Sequence, residues 1–378
     1  MHRFFFCAFF VLFGTHSLFA EDGDLVNPPA TDLEQDEVLL FFPGYARFDS
    51  GQSRWRTSVH GNVHEPERGS SKRALLIGML QAATKASLRL DDKHFLEDRV
   101  RPFLVDNEGG KTVTVQIGNQ RYTLGESESN GHFERQILLA DDIPLPPQSG
   151  EIRSESVRGV LPADDQREFL GRVDLIPPKG LSVISDIDDT IKASNVRDKT
   201  ELIKNTFVRE FREFEGMAEL YAKLRQNNVA FHYVSGSVWQ LYPSLSEFLT
   251  DRGFPAGTFH LKHFRVKDGS VKKILMSQNE YKLNAIRPIL RDFPERRFIL
   301  IGDSGEQDPE IYGELAREFA DQVVGVFIRN VTEESAQHVR IQDAFRDVAA
   351  EKWRLFDHAA DIDGPLQAMA AKNVSPPN

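Results

Sequence analysis

Two short segments of the sequence concentrate acidic side chains. The first, SDIDDT, places Asp186, Asp188 and Asp189 within four positions. Carboxylates this close repel one another unless a divalent cation such as Mg²⁺, which prefers oxygen ligands, offsets their charge. In an extended chain Asp186 and Asp188 lie on the same side, which suits one as a nucleophile and the other as a proton donor to a leaving group. The segment therefore predicts metal-assisted nucleophilic catalysis.

The second acidic segment and three other residues fit the same chemistry. The segment GDSGEQD supplies Asp303 and Asp308, which would complete a metal shell. Ser235 and Gly236 offer a hydroxyl and backbone N–H groups that suit phosphate oxygens. Lys282 offers a cation that would neutralise a transferring phosphoryl group. Together these residues predict phosphoryl transfer.

Simpler interpretations of some of these residues stay open. Asp308 directly precedes a proline, and such an aspartate also suits the N-cap of a helix. Two other lysines, Lys272 and Lys273, compete for the role of the cation. Ser237 is typical of an ordinary turn.

The elements that must position these residues follow an alternating strand and helix pattern. Four short apolar runs are typical of strands buried in a parallel sheet, at 181–185, 229–234, 298–301 and 323–328. Helices are predicted between them at 199–214, 216–227, 241–252, 278–292 and 309–319. In an α/β sheet with helices on both faces, ligands bind beyond the carboxyl ends of the strands. Asp186, Ser235 and Asp303 are therefore predicted to meet at one edge.

The order of these elements resembles the haloacid dehalogenase-like phosphohydrolases over residues 181–330. More narrowly, the stretches GLSVISDIDDTIK, WQLYP and GDSGEQDPEIY are similar to the actin-patch-associated phosphatidate phosphatase family, which is related to the lipins. A β-rich region ahead of the catalytic domain is similar to the layout of that family. Val238 and Tyr281 depart from it, because proline and histidine are expected at these positions.

The resemblance implies a role for each acidic residue. Asp186 attacks phosphorus to form an aspartyl-phosphate, while Asp188 protonates the leaving alcohol and then activates water. Mg²⁺ is bound by Asp186, the backbone carbonyl of Asp188, and Asp303, with Asp308 as a fourth ligand or as a clamp on the lysine. The phosphate-binding residues are Ser235, Gly236, Lys282 and Thr190, of which Thr190 also shapes the turn together with Asp189.

Outside the catalytic segment, the chain divides into four further parts. Residues 1–20 resemble a secretory signal peptide, with Arg3 before an apolar block, and 21–37 is an acidic spacer. Residues 38–176 are predicted to be β-rich and sandwich-like, with one helix at 70–86, and they precede a catalytic domain at 177–332. Residues 333–378 are predicted to form a C-terminal helix, near 344–356, and a tail.

Composition limits the possible functions. The chain has 378 residues, 40% of them hydrophobic, and a net charge of −11, so it is neither disordered nor polytopic, and nucleic acid is not an expected partner. The single cysteine, Cys7, lies in the signal peptide. We therefore expect a secreted protein, periplasmic or extracellular, without disulfides. His60 and His64 share a strand face but have no third ligand nearby in sequence, so a metal site there is not predicted.

The leading hypothesis is a secreted Mg²⁺-dependent phosphatidate phosphatase that releases diacylglycerol and phosphate. The catalytic segments leave no room for a large lid, and an open site suits a bulky lipid. The basic stretch HLKHFRVKDGSVKK, residues 260–273, suits a peripheral contact with an anionic membrane, or else is a solvated loop. The alternatives are a phosphatase of soluble phosphomonoesters or phosphoproteins, and a module that binds anionic lipid or envelope polymer.

Overall fold

The computed structural model describes residues 28–66, 90–147, 149–263 and 279–374, together with Gly78 and Leu80. The predicted signal peptide and the helix predicted at 70–86 fall largely or wholly outside these residues. Fifteen strands are described: β1 Val38–Phe42, β2 Gly44–Asp49, β3 Arg54–Glu65, β4 Asp106–Asn107, β5 Thr112–Ile117, β6 Gln120–Glu126, β7 His132–Leu138, β8 Arg153–Gly159, β9 Leu170–Ile176, β10 Leu181–Ser185, β11 Ala230–Val238, β12 Thr258–Lys262, β13 Arg297–Asp303, β14 Val323–Arg329 and β15 Trp353–Phe356. The α-helices are α1 Leu90–Val100, α2 Lys199–Ile203, α3 Met217–Gln226, α4 Tyr242–Asp251, α5 Asn279–Asp292, α6 Asp308–Glu318, α7 Val339–Ala344 and α8 Ala360–Val374.

Strands β1 to β9 form one curled sheet in the order β1-β3-β2-β9-β8-β5-β6, with β4 and β7 also paired to β3. The long strand β3 carries most of these pairings, because β1 and β2 follow one of its edges while β7 follows the other. Alternate side chains of the strands enter a separate apolar core that includes Trp55, Val115 and Phe133. The β-rich N-terminal half predicted from the sequence is therefore present.

Residues 28–37 differ from the predicted spacer. Thr31 is buried, and its hydroxyl donates to the carbonyl of Thr114 at 2.9 Å. Leu33 packs on the core of the β-rich half. The carboxylate of Glu37 pairs with Lys111 at 2.7 Å. The acidic composition of the segment concealed these contacts, because only alternate residues face the sheet.

Strands β10 to β15 form a second, wholly parallel sheet in the order β12-β11-β10-β13-β14-β15. Its central strands are buried on both faces, because one apolar cluster with Ile299 and Tyr221 covers one face and another with Leu300 and Ile289 covers the other. This is the predicted α/β sheet with helices on both faces. No helix among the described residues is long and apolar enough to cross a bilayer.

The C-terminal segment contributes more to this sheet than the predicted helix and tail. The helix predicted near 344–356 is replaced by α7, a 3₁₀ turn and the edge strand β15, which pairs with β14. Helix α8 then returns to the sheet and buries Ile362 and Leu366 in its core. Strand β15 has only four residues and one neighbouring strand, so its apolar pattern is too short to distinguish it from a helix.

The helix predicted at 199–214 also differs. Asp198 caps α2 by accepting from the backbone N–H groups of Thr200 and Glu201, but α2 passes at once into a π-helical turn, Lys204–Val208. The chain is extended at Arg209. π-Helical turns are common at functional sites, and this one lies against the catalytic residues described below.

Candidate active site

The pairing of β10 with β13 brings the two acidic segments together. Ser185 lies opposite Ile301, and the backbone N–H of Asp186 donates to the carbonyl of Ile301 at 2.9 Å. The side chains of Asp186, Asp303 and Asp308 then converge, with one oxygen of each within 4.8 Å of the others. All three are almost completely buried. Parallel register therefore produces the acidic cluster that was predicted from the strand ends.

Lys282 enters this cluster from helix α5. Its ammonium lies 2.9 Å from Oδ1 of Asp186, 2.5 Å from Oδ1 of Asp308 and 3.3 Å from Oε2 of Glu306. Burial lowers the pKa of Lys282, but the charges of Asp186, Asp308 and Glu306 raise it more, so it stays protonated. Three carboxylates thus contact one ammonium, with Asp303 beside them. This is the position expected of the cation predicted from the sequence.

Glycine is required where the second acidic segment begins. A side chain at Gly302 would place its Cβ 2.3 Å from Oδ2 of Asp308 and 2.7 Å from the ring of Tyr312. The same Oδ2 of Asp308 accepts from the backbone N–H of Asp303 at 3.2 Å. Asp308 occupies the first position of α6, beside Pro309, but its carboxylate faces inward to the cluster. Asp308 therefore belongs to the acidic cluster, and helix capping is not needed to explain its position.

The acidic cluster has the donor set of a magnesium site. Oδ1 of Asp303 accepts from the backbone N–H groups of Gly305 and Glu306, whereas its buried Oδ2 has no hydrogen-bond partner. Burial and the nearby carboxylates raise the pKa of Asp303, because its charge is poorly compensated. An oxygen-only set with excess negative charge suits a hard divalent cation. The residues present therefore fit Mg²⁺, which Asp186, Asp303 and Asp308 would hold.

The carboxylate of Asp188 lies apart from this cluster. Its Oδ1 contacts Lys192 at 2.7 Å and Ser194 at 2.5 Å, while Oδ2 accepts from the hydroxyls of Ser235 at 3.1 Å and Ser237 at 2.9 Å. Burial raises the pKa of Asp188, but the charge of Lys192 and hydrogen bonds from Lys192, Ser194 and Ser237 lower it to about 2. The side chain therefore contributes no ligand to the cluster, and the predicted ligand from Asp188 is its carbonyl.

The two serines reach Asp188 from β11, next to an irregularity in the pairing of that strand. The pairing of β11 with β12 shifts between Ser235 and Val238, which indicates a bulge. Bulges re-aim side chains next to active sites. Ser235 and Ser237 are two positions apart on the strand, so both hydroxyls lie on the side of Asp188. The ordinary-turn interpretation of Ser237 misses this contact.

The turn after β10 is held by Asp189 and Thr190. Asp189 adopts a φ of 55°, and its carboxylate accepts from the backbone N–H groups of Ser194, Asn195 and Val196. The hydroxyl of Thr190 donates to Oδ2 of Asp186 at 2.9 Å. Asp189 therefore shapes the turn, while Thr190 orients the predicted nucleophile.

Two catalytic-site residues carried no clear sequence signal. Lys192 follows the SDIDDT motif and is buried, and sequence reasoning gave it no role. Arg340 of α7 donates to the carbonyls of Ser304 and Glu306, at 2.7 and 2.5 Å, and so fixes the second acidic segment. A basic residue three positions beyond a cluster of acids was the available hint for Lys192, whereas Arg340 lies outside the predicted domain.

Replacement of Lys192 with methionine is expected to leave Asp188 buried without its main counter-charge. We expect a loss of about 3 kcal/mol in the free energy of unfolding near pH 7. In the wild type, the lowered pKa of Asp188 stabilises the fold above its usual value near 3.8, and this stabilisation is lost as the pH falls toward 2. In the variant, burial raises the pKa of Asp188 instead, so Asp188 becomes neutral near pH 4.5. The loss in the free energy of unfolding relative to the wild type should therefore be smaller at that pH. Urea unfolding at both pH values measures it.

The matched control is Lys204→Met, because Lys204 lies in the same segment and pairs with Glu201 at 2.8 Å in a partly exposed position. Such pairs contribute at most about 1 kcal/mol. An equal loss for Lys192→Met at both pH values would contradict the assigned role of Lys192.

The site is narrow on the side of Asp188. The cavity beside Asp188 has a volume of about 20 Å³, and the π-helical turn covers it with Thr206 and Phe207. Leu202 of α2 forms part of the same wall. No large inserted domain is needed for this cover, because the short segment between β10 and α3 supplies it. Residues 264–278, between β12 and α5, lie outside the described residues, so the open site stays a prediction.

The other sequence candidates have structural positions or lie outside the described residues. Trp239 is buried and packs on Phe42, with ring centroids 4.2 Å apart. The basic stretch is described only as far as His263. Its role at a membrane stays a prediction.

Comparisons with known proteins agree with the motifs. Residues 181–330 match the family described as "Phosphatidate phosphatase APP1, catalytic domain". Phosphatidate phosphatase APP1 of Saccharomyces cerevisiae is 29% identical over 251 residues, which are 64% of this chain and 41% of the yeast protein. An uncharacterised protein of Schizosaccharomyces pombe is 32% identical over 169 residues, 44% of this chain and 27% of the other. The chain thus matches less than half the length of these relatives.

Among solved structures, a protein described as a HAD-like phosphatase from Mesorhizobium loti aligns with a TM-score of 0.35 and 12% identity, over 62% of this chain and 100% of the other. The resemblance inferred from the motifs is confirmed by the family match and the two curated relatives.

Proposed function

We propose, on the premise that residues 181–330 belong to the catalytic-domain family of phosphatidate phosphatase APP1, that this protein hydrolyses phosphatidate to diacylglycerol and inorganic phosphate. One observation carries the proposal. Asp186 faces Lys282 and the acidic cluster, whereas Asp188, two residues later, faces two serine hydroxyls and a second lysine. The two aspartates therefore have different surroundings, as a nucleophile and a proton-transfer group require.

In the first step, a carboxylate oxygen of Asp186 attacks phosphorus, and the bond from phosphorus to the alcohol oxygen breaks. Thr190 fixes one oxygen of this carboxylate, and Lys282 faces the other. Asp188 transfers its proton to the departing alkoxide, so the alcohol leaves neutral. Asp186, Asp303 and Asp308 would hold Mg²⁺, which would supply positive charge for the phosphoryl oxygens. The step is largely one of positioning and charge stabilisation.

In the second step, water attacks phosphorus in the aspartyl-phosphate. Asp188 takes one proton from that water, the acyl–phosphate bond breaks, and phosphate leaves with Asp186 restored. The proton taken from water leaves Asp188 protonated again, as the next turnover requires. The negative charge of an incoming phosphate raises the pKa of Asp188 from about 2, because like charges disfavour the ionised form. Lys192, at 2.7 Å, is the nearest charged donor in the described part of the chain.

Phosphate release across a substrate panel tests the proposal. With the full chain and Mg²⁺, we expect detergent-dispersed phosphatidate to be hydrolysed at least ten times faster than sugar phosphates or a phosphopeptide. Removal of Mg²⁺ with a chelator should abolish the release, because the acidic cluster then lacks its compensating charge. Re-addition of Mg²⁺ should restore it.

The panel also separates the competing functions. Faster hydrolysis of soluble esters would replace phosphatidate with a small substrate and keep the same chemistry. Binding to anionic vesicles without any phosphate release would favour a binding module.

Secretion and membrane contact are also proposals. The sequence of residues 1–20 supports export, and the basic stretch at 260–273 supports contact with an anionic lipid surface. Sedimentation of the full chain with anionic and neutral vesicles tests the second proposal.

A further inference from the structure

Three histidines meet where the β-rich half packs against the catalytic half. His60 lies on β3, His132 begins β7, and His263 directly follows β12 of the parallel sheet. The register of β3 with β7 places His132 opposite Asn62, two positions from His60, so the two histidines are diagonal neighbours on one face. The junction therefore joins residues that are far apart in sequence.

The geometry of the three rings is that of a metal-binding group. Nε2 of His60 lies 3.1 Å from Nδ1 of His132, and one ring nitrogen from each of the three residues lies within 4.8 Å of the others. Two nitrogens bound to one tetrahedral Zn²⁺ at about 2.0–2.1 Å are ~3.4 Å apart. The His60–His132 pair already has nearly this spacing. His263 is the most exposed of the three, and its ring contacts those of His60 and His132, with centroids 5.5 and 4.7 Å away.

We propose that His60, His132 and His263 form a binding site for a divalent transition metal ion of the imidazole-binding class, such as Zn²⁺. Neutral imidazole nitrogens favour such ions over Mg²⁺, which prefers oxygen ligands. The site is thus chemically distinct from the acidic cluster of the active site.

The surroundings of the histidines suit a structural ion. Phe42 and Trp239 pack on His60, with ring centroids 4.7 and 4.8 Å away, and so enclose one side of it in apolar rings. A cleft of about 420 Å³, lined by His60 and His263 together with Phe42 and Trp239, gives room for a water molecule as fourth ligand. Three imidazoles and one water complete a tetrahedral shell.

The bound ion would link the two halves of the chain. His60 and His132 belong to the curled sheet, whereas His263 directly follows the edge strand of the parallel sheet. Trp239, which packs on His60, immediately follows the strand that carries Ser235 and Ser237. The ion therefore fixes the β-rich half beside the phosphate-binding residues, which assigns that half a role in positioning the site.

The test is Zn²⁺ titration of the chelator-treated full chain by calorimetry, with excess Mg²⁺ present to fill the acidic cluster. We expect one Zn²⁺ per chain and a higher melting temperature on binding. His263→Ala should weaken the binding of Zn²⁺ at least 100-fold. The melting temperature of this variant without metal should match that of the wild type, because His263 is exposed. The control is His64→Ala. His64 lies on β3 like His60 and contacts Asn62 at 2.8 Å, but it is outside the group of three histidines.

Binding of Co²⁺ gives a second measurement, because tetrahedral Co²⁺ has strong visible absorption. The wild type and His64→Ala should show it, and His263→Ala and His132→Gln should not. Absence of Zn²⁺ uptake by the wild type would overturn the proposal. Zn²⁺ uptake by His263→Ala equal to that of the wild type would also overturn it. Loss of Zn²⁺ uptake in Asp303→Asn would assign the ion to the acidic cluster instead.

Discussion

Asp186→Asn is expected to reduce phosphate release by at least ~10³-fold, the scale of effect seen when a catalytic nucleophile is removed. The amide of asparagine is nearly the same size as the carboxylate but is not nucleophilic toward phosphorus. The substitution also removes one of the charges opposite Lys282, which lies 2.9 Å from Asp186. Burial and neighbouring carboxylates raise the pKa of Asp186, so its charge is costly in the fold. We therefore expect folding stability to be kept.

The measurement is phosphate release from phosphatidate with saturating Mg²⁺, paired with the melting temperature of each protein. Asp251→Asn is the matched control, because Asp251 lies on the surface at the end of α4. It should keep the wild-type rate. Full turnover by Asp186→Asn would remove this residue as the nucleophile, whereas a wild-type protein without activity on any ester would contradict the proposed function itself.

Lys282→Met is expected to destabilise the fold more than Lys192→Met does. It leaves Asp186, Asp303, Asp308 and Glu306 facing one another with no ammonium among them. Removal of one partner from a buried ion pair typically costs about 3–5 kcal/mol. The free energy of unfolding should fall by this amount in buffer without Mg²⁺, measured by urea denaturation. Phosphate release should fall as well, because the cation opposite the nucleophile is lost.

Mg²⁺ offers a second measurement on the same variant. Because the cation compensates the same carboxylates, the stabilisation produced by Mg²⁺ should be larger for Lys282→Met than for the wild type. The control is Lys223→Met, since Lys223 pairs with Glu219 at 3.0 Å but is half exposed. It should change stability by less than about 1 kcal/mol. A loss for Lys282→Met no greater than this would show that Lys282 is not the principal counter-charge.

The acidic part of the site could be predicted from the sequence because it depends on local patterns. Asp186 and Asp188 follow a buried strand, and the carboxyl ends of parallel strands must meet at one edge. The same rule placed Ser235 and Asp303. Lys282 needed the order of the elements as well, because two other lysines fitted the chemistry equally well.

The remaining features depend on contacts that no local pattern encodes. The partners of Asp188 include Lys192, whose importance comes only from its burial against that carboxylate. The histidine group joins β3, β7 and the end of β12, so His60 shows no ligand spacing with the other two. The short edge strand β15 and the π-helical turn are set by tertiary packing rather than by propensity.

The π-helical turn over Asp188 has a consequence for how tightly any substrate binds. If substrate enters on this side, Thr206 and Phe207 must first move away, because the cavity there has a volume of only about 20 Å³. The apparent dissociation constant then equals the intrinsic one divided by the fraction of molecules that are open. If one molecule in about a hundred is open, affinity falls about 100-fold. Substitutions that loosen this turn would therefore tighten binding without touching the substrate.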